Sequence, residues 1–229
     1  MDYIIQGVSQ ALTLLVKLDR ELYSIILLSI LVSLSATLIA TAFFVPIGVS
    51  IGLRKFRRER LFEKILFSMM GVPSVVIGLV VALLMSRRSI FGFLGLLYTP
   101  GAMIIAQVLL VFPLGMGLSY KLSKFQGRRI KNEGKLLGAK KMDLLILVLK
   151  ELKEELLVIF LTCFSRAITE VGAVMIVGGN IKGRTRVMTT TISMLNSMGE
   201  YPMGIALGII LMLLTFGVNS VVYILHKGE

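Results

Sequence analysis

Four long stretches of this chain carry no charged side chain: residues 23–53, 65–86, 89–120 and, with His226 neutral, 201–226. The hydrocarbon core of a bilayer is ~30 Å thick and takes about 20 apolar residues to cross as a helix. Each run is long enough, whereas a core helix of a soluble protein rarely goes so far without a charge. A mean hydropathy of +0.88 agrees. The expected class is an all-α integral membrane protein, multi-pass in the cell membrane.

A fifth stretch, 156–178 ("LLVIFLTCFSRAITEVGAVMIVG"), is apolar except for Arg166 and Glu170. Charges at membrane depth are costly and face a protein interior or a water-filled cavity. Five spans are therefore expected, at about 24–52, 65–86, 100–120, 156–178 and 201–225. Residues 1–23 read as an interfacial segment. They lack a basic start and a small-residue cleavage site, so no removed signal peptide is expected. The remaining connections are too short to build a core, which leaves a single transmembrane domain over 1–229.

The net charge of +12 raises the question of nucleic acid, but its distribution answers it. Residues 53–64, 121–155 and the C-terminal tail hold seventeen Lys/Arg, and the segments on the other side of the expected spans hold seven. The positive-inside rule reads this as topology: N-terminus outside, both basic loops and the C-terminus in the cytoplasm, no nucleic-acid partner. Prolines at 46, 73 and 113 fall inside spans, where each removes a backbone donor. Gly48 with Gly52, and Gly204 with Gly208, have the small-xxx-small spacing that lets helices approach closely.

No catalytic chemistry emerges. "GGNIKGRT" (178–185) has two glycines at phosphate-loop spacing, but Arg184 stands where the phosphate-binding lysine is required, and the preceding run is a membrane helix. The glycines more simply end the fourth span. One histidine and one cysteine, Cys163, make neither a zinc site nor a disulfide. Intramembrane hydrolysis needs paired carboxylates, a Ser–His pair or a metal cluster, and Glu170 is the only carboxylate well inside a span. Arg166 lies four residues before it on the same helical face. The two form either a salt bridge that lowers the cost of burying both charges or a lining pair of a polar pathway. No cofactor or metal is expected.

The remaining feature is "RRIKNEGKLLGAKK" (128–141), six positive charges and one negative between apolar segments. Here the chain resembles the membrane permease subunits of binding-protein-dependent ABC importers. Their cytoplasmic loop between spans three and four carries an E-A-A-x-x-x-G motif. Aligning its glycine to Gly138 places Asn132, Glu133 and Gly134 at the E-A-A positions, followed by Lys135, Leu136, Leu137, Gly138 and Ala139. The leading Glu is displaced, and the distal proline of the motif is absent from "VLKE" (148–151). "GVPSVVIGLVVALLMSRRS" (71–89) and "LLYTPGAMIIAQVLLVFPLGMGLS" (96–119) are similar to the molybdate/tungstate/sulfate branch. "EVGAVMIVGGNI" with "TRVMTT" (170–190) is closest to the tungstate importer permeases.

The resemblance implies a permease subunit that is not itself an enzyme. It would form the pathway for a tetrahedral oxyanion, most closely tungstate, with molybdate or sulfate as alternatives. Two copies would work with two ABC ATPase subunits and an extracytoplasmic oxyanion-binding protein, surrounded by membrane lipid. Residues 131–142 would form a short coupling helix docked into the ATPase. Arg166, Glu170, Gly172 and Ala173 become candidates for the pathway or its gate. The competing class is an ATP-independent channel or secondary transporter, which internal inverted repeats would favour.

Overall fold

Asp19 starts the first long helix: its Oδ1 accepts the Leu22 N–H at 2.8 Å, satisfying one of the free amides at a helix N-terminus. The computed structural model describes residues 8, 9, 13, 16, 17 and 19–227. The expected interfacial segment 1–23 lies largely outside these residues, and its last four belong to the first span helix, α1 (Arg20–Gly52). Among the described residues every regular element is helical. The order continues α2 (Glu59–Met70), α3 (Ser74–Met85), α4 (Pro100–Leu122), α5 (Arg128–Leu136), α6 (Lys141–Glu151), α7 (Lys153–Ile168), α8 (Gly172–Gly178), α9 (Met188–Met198) and α10 (Tyr201–Lys227).

Helix α1 organises the bundle. With 33 residues it is about 50 Å long at ~1.5 Å per residue, and it contributes side chains to every one of the four apolar clusters. Its main neighbour is α4, and glycine sets their separation. A Cβ on Gly48 would come 3.0 Å from the Met116 carbonyl, and one on Gly52 would come 2.6 Å from the Tyr120 carbonyl. The small-xxx-small pair at 48 and 52 is thus a true backbone contact. Of the pair at 204 and 208, Gly208 faces open space.

Three helices are long and apolar enough to cross a membrane alone: Arg20–Gly52, Pro100–Leu136 and Tyr201–Leu225. The spans expected over 65–86 and 156–178 are each broken. α2 and α3 meet at 86°, and α7 and α8 at 59°. The first break falls at Gly71-Val72-Pro73, where Pro73 supplies no N–H and disfavours helix at the residue before it. Pro46 and Pro113, by contrast, lie inside continuous helices.

The connection 121–155 is largely helical. α4 runs through a π-helical segment (Ser123–Gly127) into α5, so helix is continuous from 100 to 136. It turns at 137–140 and returns as α6, and α7 follows after Leu152. The single coupling helix expected over 131–142 is corrected to a helical hairpin whose turn falls in the middle of that range.

Candidate functional site

The hairpin tip is set by Gly138. Its φ is +80°, a conformation that costs a residue with a Cβ roughly 1–2 kcal/mol. The Gly138 N–H donates to the Lys135 carbonyl at 3.0 Å and the Ala139 N–H to the Gly134 carbonyl at 3.1 Å. This pair of bonds closes a helix C-terminus with glycine just beyond the cap. A Cβ on Gly138 would meet nothing in this chain, so the glycine serves the turn. Gly134 serves packing: a Cβ there would lie 2.7 Å from Leu144 Cδ2 on α6.

The turn leaves Leu136 and Leu137 89% and 87% exposed, with Met142 at the start of α6 also largely exposed. Asn132, Glu133 and Lys135 are exposed on the approach, and Ala139 is half-buried. Glu133 pairs with Arg129 at 3.1 Å. Two bare leucines among lysines are a poor surface for water and a good one for a protein with an apolar pocket and an acidic rim.

The base of the hairpin is clamped to α1 and α2. Arg128 Nε donates to the Gly52 carbonyl at 2.8 Å and Lys131 Nζ to the Leu53 carbonyl at 2.7 Å. Both cations sit on the C-terminal end of α1, where its macrodipole is negative. Arg128 also pairs with Glu59 at 2.7 Å, and Lys124 pairs with Glu63 at 2.6 Å and Glu59 at 3.2 Å. The hydrogen bond from Arg128 holds the Glu59 carboxyl below its ordinary pKa, and that from Lys124 does the same for Glu63.

The second region is the break between α7 and α8. Arg166 Nη1 lies 2.9 Å from Glu170 Oε2; the Glu170 side chain is 3% exposed and that of Arg166 44%. Glu170 Oε1 accepts the Ala173 N–H at 3.1 Å, so the carboxylate also closes the start of α8. Irregular backbone at membrane depth needs such partners. Two more side chains supply them: Gln107 Nε2 donates to the Ala167 carbonyl and to Ser33 Oγ, and Thr189 Oγ1 donates to the Glu170 carbonyl. Ser29 Oγ accepts the Met188 N–H at the start of α9.

Gly172 and Ala173 sit against α3. A Cβ on Gly172 would come 2.7 Å from Val75 Cγ2, and one on Gly78 would come 2.7 Å from Ala173 Cα. The segment 178–185 is a turn in which Thr185 Oγ1 donates to the Gly178 carbonyl and accepts the Ile181 N–H. Its glycine spacing closes the end of α8, with Gly179 at φ +70°. At the far end of α1, Glu21 pairs with Lys182 at 2.6 Å and with Arg186 at 3.2 Å.

The structure keeps the two groups of sequence candidates apart, one in the hairpin and one at the α7–α8 break. It adds Ser29, Ser33, Gln107 and Thr189 to the second. These are uncharged, so a search for intramembrane charge passes over them; a glutamine within an otherwise apolar span was the available signal.

A family model described as "Binding-protein-dependent transport system inner membrane component" matches residues 44–228. The chain is 57% identical over 227 residues to the tungstate uptake system permease protein TupB of Peptoclostridium acidaminophilum, covering 99% of this chain and 100% of that one. It is 34% identical to the protein of the same description from Campylobacter jejuni, over 99% of this chain and 94% of the other. A probable anion ABC transporter permease protein of Haloferax volcanii is 36% identical over 204 residues, 87% of this chain and 88% of that one.

Proposed function

This chain belongs to the inner membrane components of binding-protein-dependent transport systems, and from that premise we propose that it forms the tungstate pathway of an ABC importer, driven through the hairpin Arg128–Glu151. It is a multi-pass membrane permease of the ABC type, whose system includes an ATPase and a substrate-binding protein. Tungstate comes from the relatives at 57% and 34% identity, both described as tungstate uptake permeases.

In this reading each bent pair makes one span, giving five over the single domain 1–229. The N-terminus lies outside and the C-terminus and hairpin lie in the cytoplasm, as the charge asymmetry favours. Leu136 and Leu137 insert into a groove of the ATPase, and the surrounding cations meet its rim. Because Arg128 and Lys131 hold the end of α1, movement of the hairpin is passed to the helix that touches every core cluster. Two permease copies with two ATPase subunits would enclose the pathway.

The observation that carries the pathway is the half-exposed Arg166. A charged side chain at membrane depth does not face lipid. The surface around it, with Thr169 exposed beside it and Ser165 Oγ reaching Asn219 Oδ1 of α10 at 3.4 Å, therefore faces water or the second copy. A guanidinium there attracts an oxyanion, while Glu170 keeps it from holding one too tightly.

The test is uptake in a host without its own tungstate system, expressing this chain with its ATPase and binding protein. Tungstate should accumulate, and excess unlabelled tungstate should compete far better than molybdate or sulfate. Equal competition by molybdate would reassign the substrate. Accumulation without the ATPase would point to a channel or secondary transporter.

A further inference from the structure

Beside the hairpin base lie two adjoining clefts of about 480 Å³ each, which share Leu53, Arg54, Lys131 and Lys135 as walls. Lys141 completes one, and Lys55 with Arg128 the other. Among the described residues no carboxylate lines either cleft. Of the nearby acids, Glu59 pairs with one wall cation, Arg128, while Glu63 is engaged with Lys124, Glu133 with Arg129 and Asp143 with the Lys140 N–H. Among the described residues the side chains of Arg54, Lys55, Lys135 and Lys141 have no ion-pair partner. Lys131 reaches only a backbone carbonyl. Burial, and then the charges of Lys135, Arg128 and Arg54, lower the pKa of its ammonium group. Like charges gathered this closely repel one another, and an anion between them relieves the repulsion.

The walls also say what kind of anion. One cleft is walled by Arg54, Lys131, Lys135 and Lys141 together with Leu53, Leu144 and Leu145, and by Ser50 on the last turn of α1. Its occupant meets cations and the edges of leucines in one space. A free oxyanion satisfies the first and has nothing to offer the second.

We infer that the joined clefts seat an anionic phospholipid, with its phosphate on Arg54, Lys131 and Lys135 and its acyl chains along α1 and the Leu144–Leu145 wall. Basic pockets at membrane surfaces bind such headgroups through electrostatics that fade with salt. Here the lipid joins the end of α1 to both arms of the hairpin, adding an anion on the side of the clamp where Lys131 and Arg128 meet the Leu53 and Gly52 carbonyls. This inference stands apart from the identity of the transported ion and needs only that the end of α1 lie at a membrane surface.

The test is native mass spectrometry of the intact permease–ATPase assembly titrated with phosphatidylglycerol or with phosphatidylcholine of the same chains. Phosphatidylglycerol should be retained, and phosphatidylcholine should not. Arg54→Gln with Lys135→Gln should weaken phosphatidylglycerol binding by roughly thirtyfold, about fivefold for each cation removed near a membrane surface. Neither side chain has a partner in the fold to lose. Arg54→Lys with Lys135→Arg should retain the lipid. Lys150→Gln with Lys153→Gln, an equal loss of charge outside both clefts, should leave binding unchanged. Unaltered binding in the first double variant overturns the site, and so does an equal loss in the last. Displacement of the lipid by millimolar inorganic phosphate at constant ionic strength would assign the clefts to free oxyanions instead.

Discussion

Gly52 and Gly138 are both glycines for reasons a substitution can separate. At 52 the space is taken, because a Cβ would come 2.6 Å from the Tyr120 carbonyl and 2.9 Å from Ser123 Cβ. Neither is the end of a flexible chain, so Gly52→Val should force α1 and α4 apart and sharply reduce the yield of folded protein, read by monodisperse recovery in detergent. Gly208→Ala, in open space, should recover like the parent. At 138 the space is empty but the backbone is left-handed. Gly138→Asn, a residue that tolerates this conformation, should lose little, whereas Gly138→Val should destabilise the turn by about 1–2 kcal/mol or more. The acidic half of the clamp gives a pH signature. Glu59 has its folded pKa lowered from 4.5, chiefly by the Arg128 hydrogen bond. Its contribution is present above the unfolded value and is lost as pH falls through the folded one. The melting temperature of the purified protein should therefore drop as pH falls below 4.5, and Glu59→Gln should flatten part of that drop by lowering the value at neutral pH.

At the scale of elements, the α7–α8 break turns on one ion pair with unequal exposure. Glu170→Ala leaves Arg166 without its carboxylate and the Ala173 N–H without an acceptor. The loss should be ~2–3 kcal/mol, below that of a fully buried pair because Arg166 is half-exposed. Exchanging the two residues should recover only part of it, since an arginine at 170 cannot accept the Ala173 N–H. Full recovery on exchange would mean that the α8 cap is of no account. The breaks themselves were only half legible in the sequence. Counting apolar residues finds a span but not its direction, so 65–86 and 156–178 read as spans while their bends of 86° and 59° do not. Pro73 was a visible marker for the first. The second has no proline; its carbonyls at Ala167 and Glu170 are met by Gln107 and Thr189, which come from other elements and reach them only after folding. The hairpin shows the same limit. Gly138 was visible as a motif glycine, but the continuity of helix from 100 to 136, and the bonds that hold it at Arg128 and Lys131, were not.

For the whole molecule, the charge asymmetry and the helix lengths place the hairpin and the Lys182–Arg186 turn at opposite ends of α1. A cysteine at the exposed Lys140, with Cys163 replaced, should be labelled by impermeant thiol reagents from the cytoplasmic side alone; one at the exposed Lys182 should be labelled from outside. Labelling in the opposite sense would remove the hairpin from the ATPase. The central claim is that ATP energy enters through the two bare leucines of the turn. Leu136→Asp with Leu137→Asp alters side chains that touch almost nothing in this chain, so insertion and folding should be unchanged. The deciding measurement is tungstate accumulation by proteoliposomes holding the permease and its ATPase, with ATP and substrate-loaded binding protein supplied. The parent should accumulate tungstate only with ATP, and the double variant should stay at the ATP-free background. Accumulation by the double variant at the parent rate would contradict the account.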